Sequence, residues 1–396
     1  MRKSLPSLLG AAAGIALGWL AITLPYLVNI EAGAQEPSAK AKELDRFITA
    51  LERIQAGYVD QLDQSQLIDA AIKGMVGMLD AQSSYISWPL FRDMQISFRH
   101  LVGLGVEFIA EKGHFRVIAP IDGSPAARAG LKTNDIITQV DGVSVKGFTP
   151  DQLVLDKLIG PGGSQVRLTI LRQGQDQPVE LTLVREMTPL RGMRSRQEGG
   201  DIGYLRIPLM NEWTIPALEK AIGELSSQIP ADKLKGYVLD LRNTPQGARF
   251  AAVAMADAFL EEGEIVSVRG PNPEQIKHFN ASPGDIINGK PLVVLINGGT
   301  ASGAEIVAGA LQDHKRATVI GARSFGKGSE QTIIPLGGRS GALRLTTGRY
   351  FTPAGRTFDG KGILPDIEVP AGQDNDKALT LALELLRGIT APHEKG

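Results

Sequence analysis

The second half of the chain carries the feature that most constrains its fold. IGYLRI (202–207), GYVLDL (236–241), PLVVLI (291–296) and ATVIGA (317–322) are short and apolar nearly throughout. Between them lie WTIPALEKAIGELSSQI (213–229), ARFAAVAMADAFL (248–260) and SGAEIVAGALQDH (302–314), whose apolar residues recur at helical spacing. Strands without polar alternation are buried on both faces, so this region reads as an α/β sheet covered by helices. LRLTTGRYFTPAGR (343–356) adds a strand and a Pro-Gly turn, and DKALTLALELLRG (376–388) an amphipathic helix.

The texture differs upstream. LGVEFIA, FRVIAP, DIITQV, QVRLTIL and VELTLV, between residues 104 and 184, read as strands. GSPAARAGL and FTPDQLVLDKLIG read as two short helices among them. This is a small β-rich module over 98–186. Before it, Leu44, Phe47, Ile48, Leu51 and Ile54, then Leu67, Ala71, Met75 and Met78, mark a helical region over 35–97, suited to packing or a dimer contact. The α/β core takes 187–396.

Residues 1–34 carry Arg2 and Lys3, then no charge until Glu31, with AGA at 32–34 as a small-x-small cleavage site. A signal peptide and an uncleaved membrane anchor both fit this pattern. Either places the bulk of the protein outside the cytoplasmic membrane, in the periplasm or cell envelope, with membrane contact only through this segment. The 396 residues hold no cysteine, which excludes disulfides and a thiolate nucleophile, and the net charge of -1 offers no field for nucleic acid. No ligand cluster or phosphate loop implies a metal or nucleotide.

Two loops stand out. Ser302 sits where PLVVLIN meets a helix, and Lys327 sits between glycines in SFGKGS. A serine hydroxyl needs a base, and none of the five histidines (100, 114, 278, 314, 393) lies in a comparable loop. A lysine drawn in from water can serve instead, with Phe325 excluding solvent. The N–H of Gly303, at a helix start, is a natural donor to a developing oxyanion. Gln331 is within reach of Lys327. Taken singly, the plain readings of an N-cap serine and a solvent-exposed turn lysine come first.

GGTASGAEIVAGAL, ARSFGKGSEQ and TTGRYFTPAGRTFDGKGILPDIEV, together with GYVLDLRNTPQG and AIKGMVGMLDAQSSYIS, resemble the carboxyl-terminal processing (tail-specific) proteases. The resemblance covers nearly all of the chain after the leader. It implies Ser302 as nucleophile, Lys327 as general base, Gln331 orienting the lysine, and a second oxyanion donor at the N–H of Gly247. Gln246 departs from the family's glycine, so its Cβ is expected to narrow the site or constrain the oxyanion loop. Thr300, Gly303 and Ala304 are small replacements, and Glu330 is expected to face solvent.

LVGLGVEF with GSPAARAGLKTNDIITQVDGVSV resembles a PDZ domain. Gly103 and Gly105 would turn N–H groups toward a peptide's C-terminal carboxylate, and Leu101, Leu104 and Val106 would border an apolar pocket. Ile159 stands where the family commonly has Arg.

The expectation is therefore an exported Ser–Lys endopeptidase that grips apolar C-terminal tails and cuts through an acyl-enzyme, without cofactor. The resemblance also implies self-assembly and an adaptor or activator protein. The rival is a silent or partner-gated peptide-binding protein on a protease fold, with Gln246 and Glu330 as the cause. An acyl-CoA enzyme of similar sheet architecture lacks support from the PDZ-like region.

Overall fold

The structure, a computed structural model, describes residues 39–97, 102–187, 193–370 and 375–389. The leader lies outside them. Residues 39–70 form one compact unit and residues from 71 onward a second. In the first, α1 (Ala39–Gly57) keeps the three-four apolar spacing, and Leu44, Phe47, Ile48 and Ile54 along it are exposed. α2 (Gln64–Gly77) follows. No helix among the described residues is long and apolar enough to cross a membrane.

β1 (Ser84–Ile86) and α3 (Trp88–Ser97) precede the β-rich module. The module runs β2 (Val102–Gly103), β3 (Val106–Glu111), β4 (His114–Pro120), α4 (Pro125–Arg128), β5 (Ile136–Val140), β6 (Val143–Ser144) and α5 (Pro150–Leu153). A π turn over Val154–Leu158 leads to β7 (Gln165–Leu171), β8 (Val179–Val184) and β9 (Glu186–Met187). The sheet order is β3-β4-β5-β7-β8, with β6 on β5 and a separate β2–β9 pair. β3 is therefore an edge strand. Inward residues such as Phe115, Val117, Ile137, Leu168 and Ile170 bury completely, and Phe108 meets Phe115 edge-on at 5.3 Å.

The core runs β10 (Arg194–Glu198), β11 (Ile202–Arg206), α6 (Thr214–Gln228), β12 (Gly236–Asp240), α7 (Arg249–Asp257), β13 (Glu264–Arg269), β14 (Lys277–Asn280), β15 (Leu292–Ile296), α8 (Gly303–Asp313), β16 (Thr318–Gly321), β17 (Ser329–Pro335), β18 (Ala342–Phe351), β19 (Ile367–Glu368) and α9 (Asn375–Leu386). One sheet has order β10-β11-β12-β15-β16-β19, parallel except for β10. β11, β12 and β15 are buried at every position, as their largely apolar sequences require, with Arg206 and Asp240 the charged exceptions at the ends of β11 and β12. Alternation sends Leu205, Leu239, Val294 and Val319 toward α6, α7 and α8, and Tyr204, Val238, Val293 and Ile320 toward α9.

A second, antiparallel sheet orders β1-β18-β13-β14, with β17 also on β18. Its β13, β14 and β17 were not legible as strands. β17 carries Ile333 and Ile334 about two-fifths exposed, and its partner β18 holds it by backbone pairing rather than by burial.

Candidate functional site

Ser302 ends the loop after β15 and starts α8. Its backbone has φ 56° and ψ −119°, a left-handed conformation that a non-glycine residue holds only when its surroundings impose it. Glu305 imposes it. This side chain, one turn into α8, is wholly buried. One of its oxygens accepts the backbone N–H groups of Ser302 at 2.9 Å and Lys327 at 2.8 Å. The other accepts the Gly326 N–H at 2.7 Å and the Ser324 hydroxyl at 2.5 Å. A single carboxylate thus ties the loop of Ser302 to the loop of Lys327. Burial pushes the Glu305 carboxyl up to about 7 against the opposing pull of these four bonds. Sequence reasoning missed this residue, although Ser302-x-x-Glu305 is a capping-box pattern that signals it.

Gly247 and Gly303 meet face to face. A Cβ on Gly303 would stand 2.9 Å from the Cα of Gly247, and one on Gly247 would stand 3.1 Å from the Cα of Gly303. Neither glycine N–H has an acceptor among the described residues. Two uncommitted donors beside Ser302 are what stabilisation of an oxyanion requires. Gly303→Ala should force the Gly247 loop away and lower kcat about a hundredfold, the order of losing one such donor. Single-turnover rates on a tailed peptide check this.

Lys327 is mostly buried, but its Nζ donates to Glu107 on β3 of the β-rich module at 2.7 Å. The same carboxylate accepts Gln246 Nε2 at 2.6 Å. No hydrogen bond joins Lys327 Nζ to Ser302 Oγ in the described residues. Gln246 and Lys327 therefore share one acceptor, the Glu107 carboxylate. Arg116 on β4 covers the Phe325 ring at 4.5 Å, so Phe325 is shielded from the same side. Gln331 follows a register shift in β17, and its Nε2 donates to Ser329 Oγ at 2.8 Å and Thr346 Oγ1 at 3.4 Å, not to the lysine. Glu330 does not simply face solvent: it pairs with Arg249. Glu107 carried no sequence signal, because its role depends on how the module seats on the core.

In the β-rich module, Gly105 has φ 66°, and its carbonyl accepts the Ser124 hydroxyl and the Ile121 N–H, both at 2.8 Å. These bonds fix the turn before β3. The N–H groups of Leu104 and Gly105 have no acceptor among the described residues. Gly103 pairs with Glu186 across β2–β9. Leu104 is a core residue rather than a rim residue, 3% exposed, with Val106 partly buried beside it. Leu101 lies outside the described residues. Ile159 Cγ1 would stand 4.0 Å from a Cβ on Gly103, so an apolar side chain borders the turn there. The described residues hold no group of three or more His, Cys, Asp or Glu placed for a metal ion.

With this geometry in place, comparison with known proteins defines the class. Residues 201–369 match the model of peptidase family S41, residues 116–172 a PDZ domain, and residues 25–87 the N-terminal domain of activating protease CtpB. The chain is 48% identical over 329 residues to a carboxy-terminal-processing protease of Bartonella bacilliformis, covering 83% of this chain and 75% of that one. It is 32% identical to carboxy-terminal processing protease CtpA of Bacillus subtilis, covering 85% and 71%. A solved photosystem II D1 C-terminal processing protease superposes with TM-score 0.70 at 28% identity, covering 82% of this chain and 92% of that one. The chain belongs to the carboxy-terminal processing protease family, and the class of activity this supports is serine-type proteolysis.

Proposed function

We propose that the protein is an exported endopeptidase that grips the apolar C-terminus of a protein through its PDZ module and cuts an inner peptide bond with Ser302 and Lys327. The observation that carries this reading is the shared Glu305 carboxylate, which holds the backbones of both residues beside two uncommitted glycine donors. Ser302 Oγ attacks the scissile carbonyl while the Lys327 amine takes its proton. The carbonyl oxygen, now an anion, meets the N–H groups of Gly303 and Gly247. The lysine returns the proton to the leaving amine, and water releases the acyl group from the serine by the same steps. The tail's carboxylate would meet the N–H groups of Leu104 and Gly105, and its backbone would add to the free edge of β3.

The test is a pair of otherwise identical peptides with apolar C-termini, one ending in a free carboxylate and one in an amide. Internal cleavage of the first, with the second largely spared, is expected by mass spectrometry. Failure to cut either one, by the wild type and by the variant described next, would remove the proposal.

A second reading is favoured by the Glu107 contact. Lys327 Nζ donates to the Glu107 carboxylate of the module, and on this reading that contact withholds the amine from Ser302 and makes the arrangement a resting one gated by the module. Glu107→Gln weakens a charge-assisted bond and should raise the peptidase rate about tenfold, the effect of roughly 1.4 kcal/mol released from the resting state. An unchanged or lower rate, with tail binding intact, would count against gating.

A further inference from the structure

A basic crevice lies outside the catalytic centre. α9 covers one end of its sheet face and leaves the carboxyl ends of β11 and β12 open, the end of such sheets where ligands gather. There a cavity of about 240 Å³ is lined by Arg194, Arg196, Arg206 and Arg242, with Asp122, Tyr204, Asp240 and Asn243. Four guanidinium groups face two carboxylates.

The two carboxylates are already spent. Asp240 binds Arg242 and accepts the Tyr204 hydroxyl at 2.6 Å. Asp122 takes Arg206 on both oxygens at 3.1 Å, and the remaining Arg206 donors go to Ile207, Asp240, Thr244 and Asn243. That leaves Arg194 and Arg196. The Arg194 side chain has no hydrogen bond or ion pair among the described residues. Arg196 gives its Nε to Glu198 at 2.5 Å and lies over the Tyr204 ring at 3.8 Å, with its terminal nitrogens uncommitted among the described residues. The strand register puts both opposite the cavity-lining residues of β11, Arg194 against Arg206 and Arg196 against Tyr204. Two residues apart on one strand face, they are separated by about 7 Å, a span that one tetrahedral oxyanion bridges with an oxygen to each fork.

We propose that this crevice binds a phosphate dianion, free or carried on a small ester, between Arg194 and Arg196. The unpaired charge of Arg194 attracts it, with the terminal nitrogens of Arg196 adding donors although its Nε is held by Glu198. The planar forks match its oxygens, and the cavity has room for a small ester group beyond. Its occupant would lie beside the Asp122–Arg206 pair, which joins the PDZ module to β11.

Calorimetric titration of the full chain with inorganic phosphate, and separately with glycerol 3-phosphate, at ionic strength held constant with chloride, tests this. Saturable binding is expected, and Arg194→Gln/Arg196→Gln should weaken it at least tenfold. Asp122→Asn, which removes a like charge from the cavity wall, should tighten it a few-fold, and circular dichroism checks that each variant is folded. Phosphate alone binding would mark the free ion as the occupant, and tighter binding of glycerol 3-phosphate would mark an ester. Absence of saturable binding of either, or binding unaltered in the folded double variant, overturns the proposal.

Discussion

Ser302→Ala should lower the rate of tail-dependent cleavage by about 10⁴-fold or more, and Lys327→Ala should do nearly the same. The two losses should not multiply in the double variant, because a hydroxyl without its base and a base without its hydroxyl are equally idle. Tail affinity should survive in all three, since the PDZ module supplies the grip. Single-turnover cleavage together with peptide binding by anisotropy separates these quantities. Retained cleavage in Ser302→Ala would end the assignment of the nucleophile. A Lys327→Ala variant as fast as wild type would leave Ser302 needing another base, and the histidines nearest in sequence offer none in a suitable place: His314 closes α8, and its Nε2 is 2.7 Å from the Glu264 carbonyl oxygen.

Glu305→Gln is nearly isosteric and should still cost about 10³-fold in kcat with little change in KM. Four donors converge on the two carboxylate oxygens. An amide keeps one oxygen and turns an NH₂ toward two of those donors, which leaves buried groups unmatched at about 1–3 kcal/mol each. The strained backbone of Ser302 then relaxes, and the loop bearing Lys327 loses its tether. The pH dependence has a definite sign. The folded carboxyl titrates at about 7, above its ordinary 4.5, so the folded state binds more protons between those values. Its contribution to stability is complete below about 4.5 and is lost as pH rises through about 7, a change of about 3 kcal/mol. Urea unfolding of Ser302→Ala, which does not digest itself, should show that slope, and Ser302→Ala/Glu305→Gln should lack it. Parallel slopes in the two would show that Glu305 is not the titrating group.

Much of this was legible before any coordinates. The nearly unbroken apolar runs at 202–207, 236–241, 291–296 and 317–322 announced a sheet covered on both faces, because such a setting hides both sides of a strand. The β-rich module was readable from period-two alternation and from its Gly and Pro punctuation. β13 and β14 were not, since EIVSVR and KHFN carry no long apolar run; β13 is ordered by β18 alongside it, and β14 by β13. At the site, Ser302, Lys327 and Gly303 stood out by their loop and helix-start settings, but taken singly the plain readings came first, and Gly247 was offered only by the family resemblance. Glu305 left a local trace in its capping spacing, but its grip on Ser324, Gly326 and Lys327 depends on two loops converging. Glu107, 220 positions from Lys327, left none. Gln331 shows the reverse case: spacing places it near the lysine, while an irregularity in β17 turns its amide toward Ser329 and Thr346.

One carboxylate holding both loops also limits how such a protein can be controlled. Neither backbone can swing away without breaking bonds inside a dry interior, so only the end of the Lys327 side chain is free to change partners. Rotating a few single bonds takes nanoseconds and leaves no covalent trace. Silence and activity would then differ by the direction of one amine, a setting that can be reversed after every cut and that calls for neither removal of a pro-segment nor rebuilding of the fold.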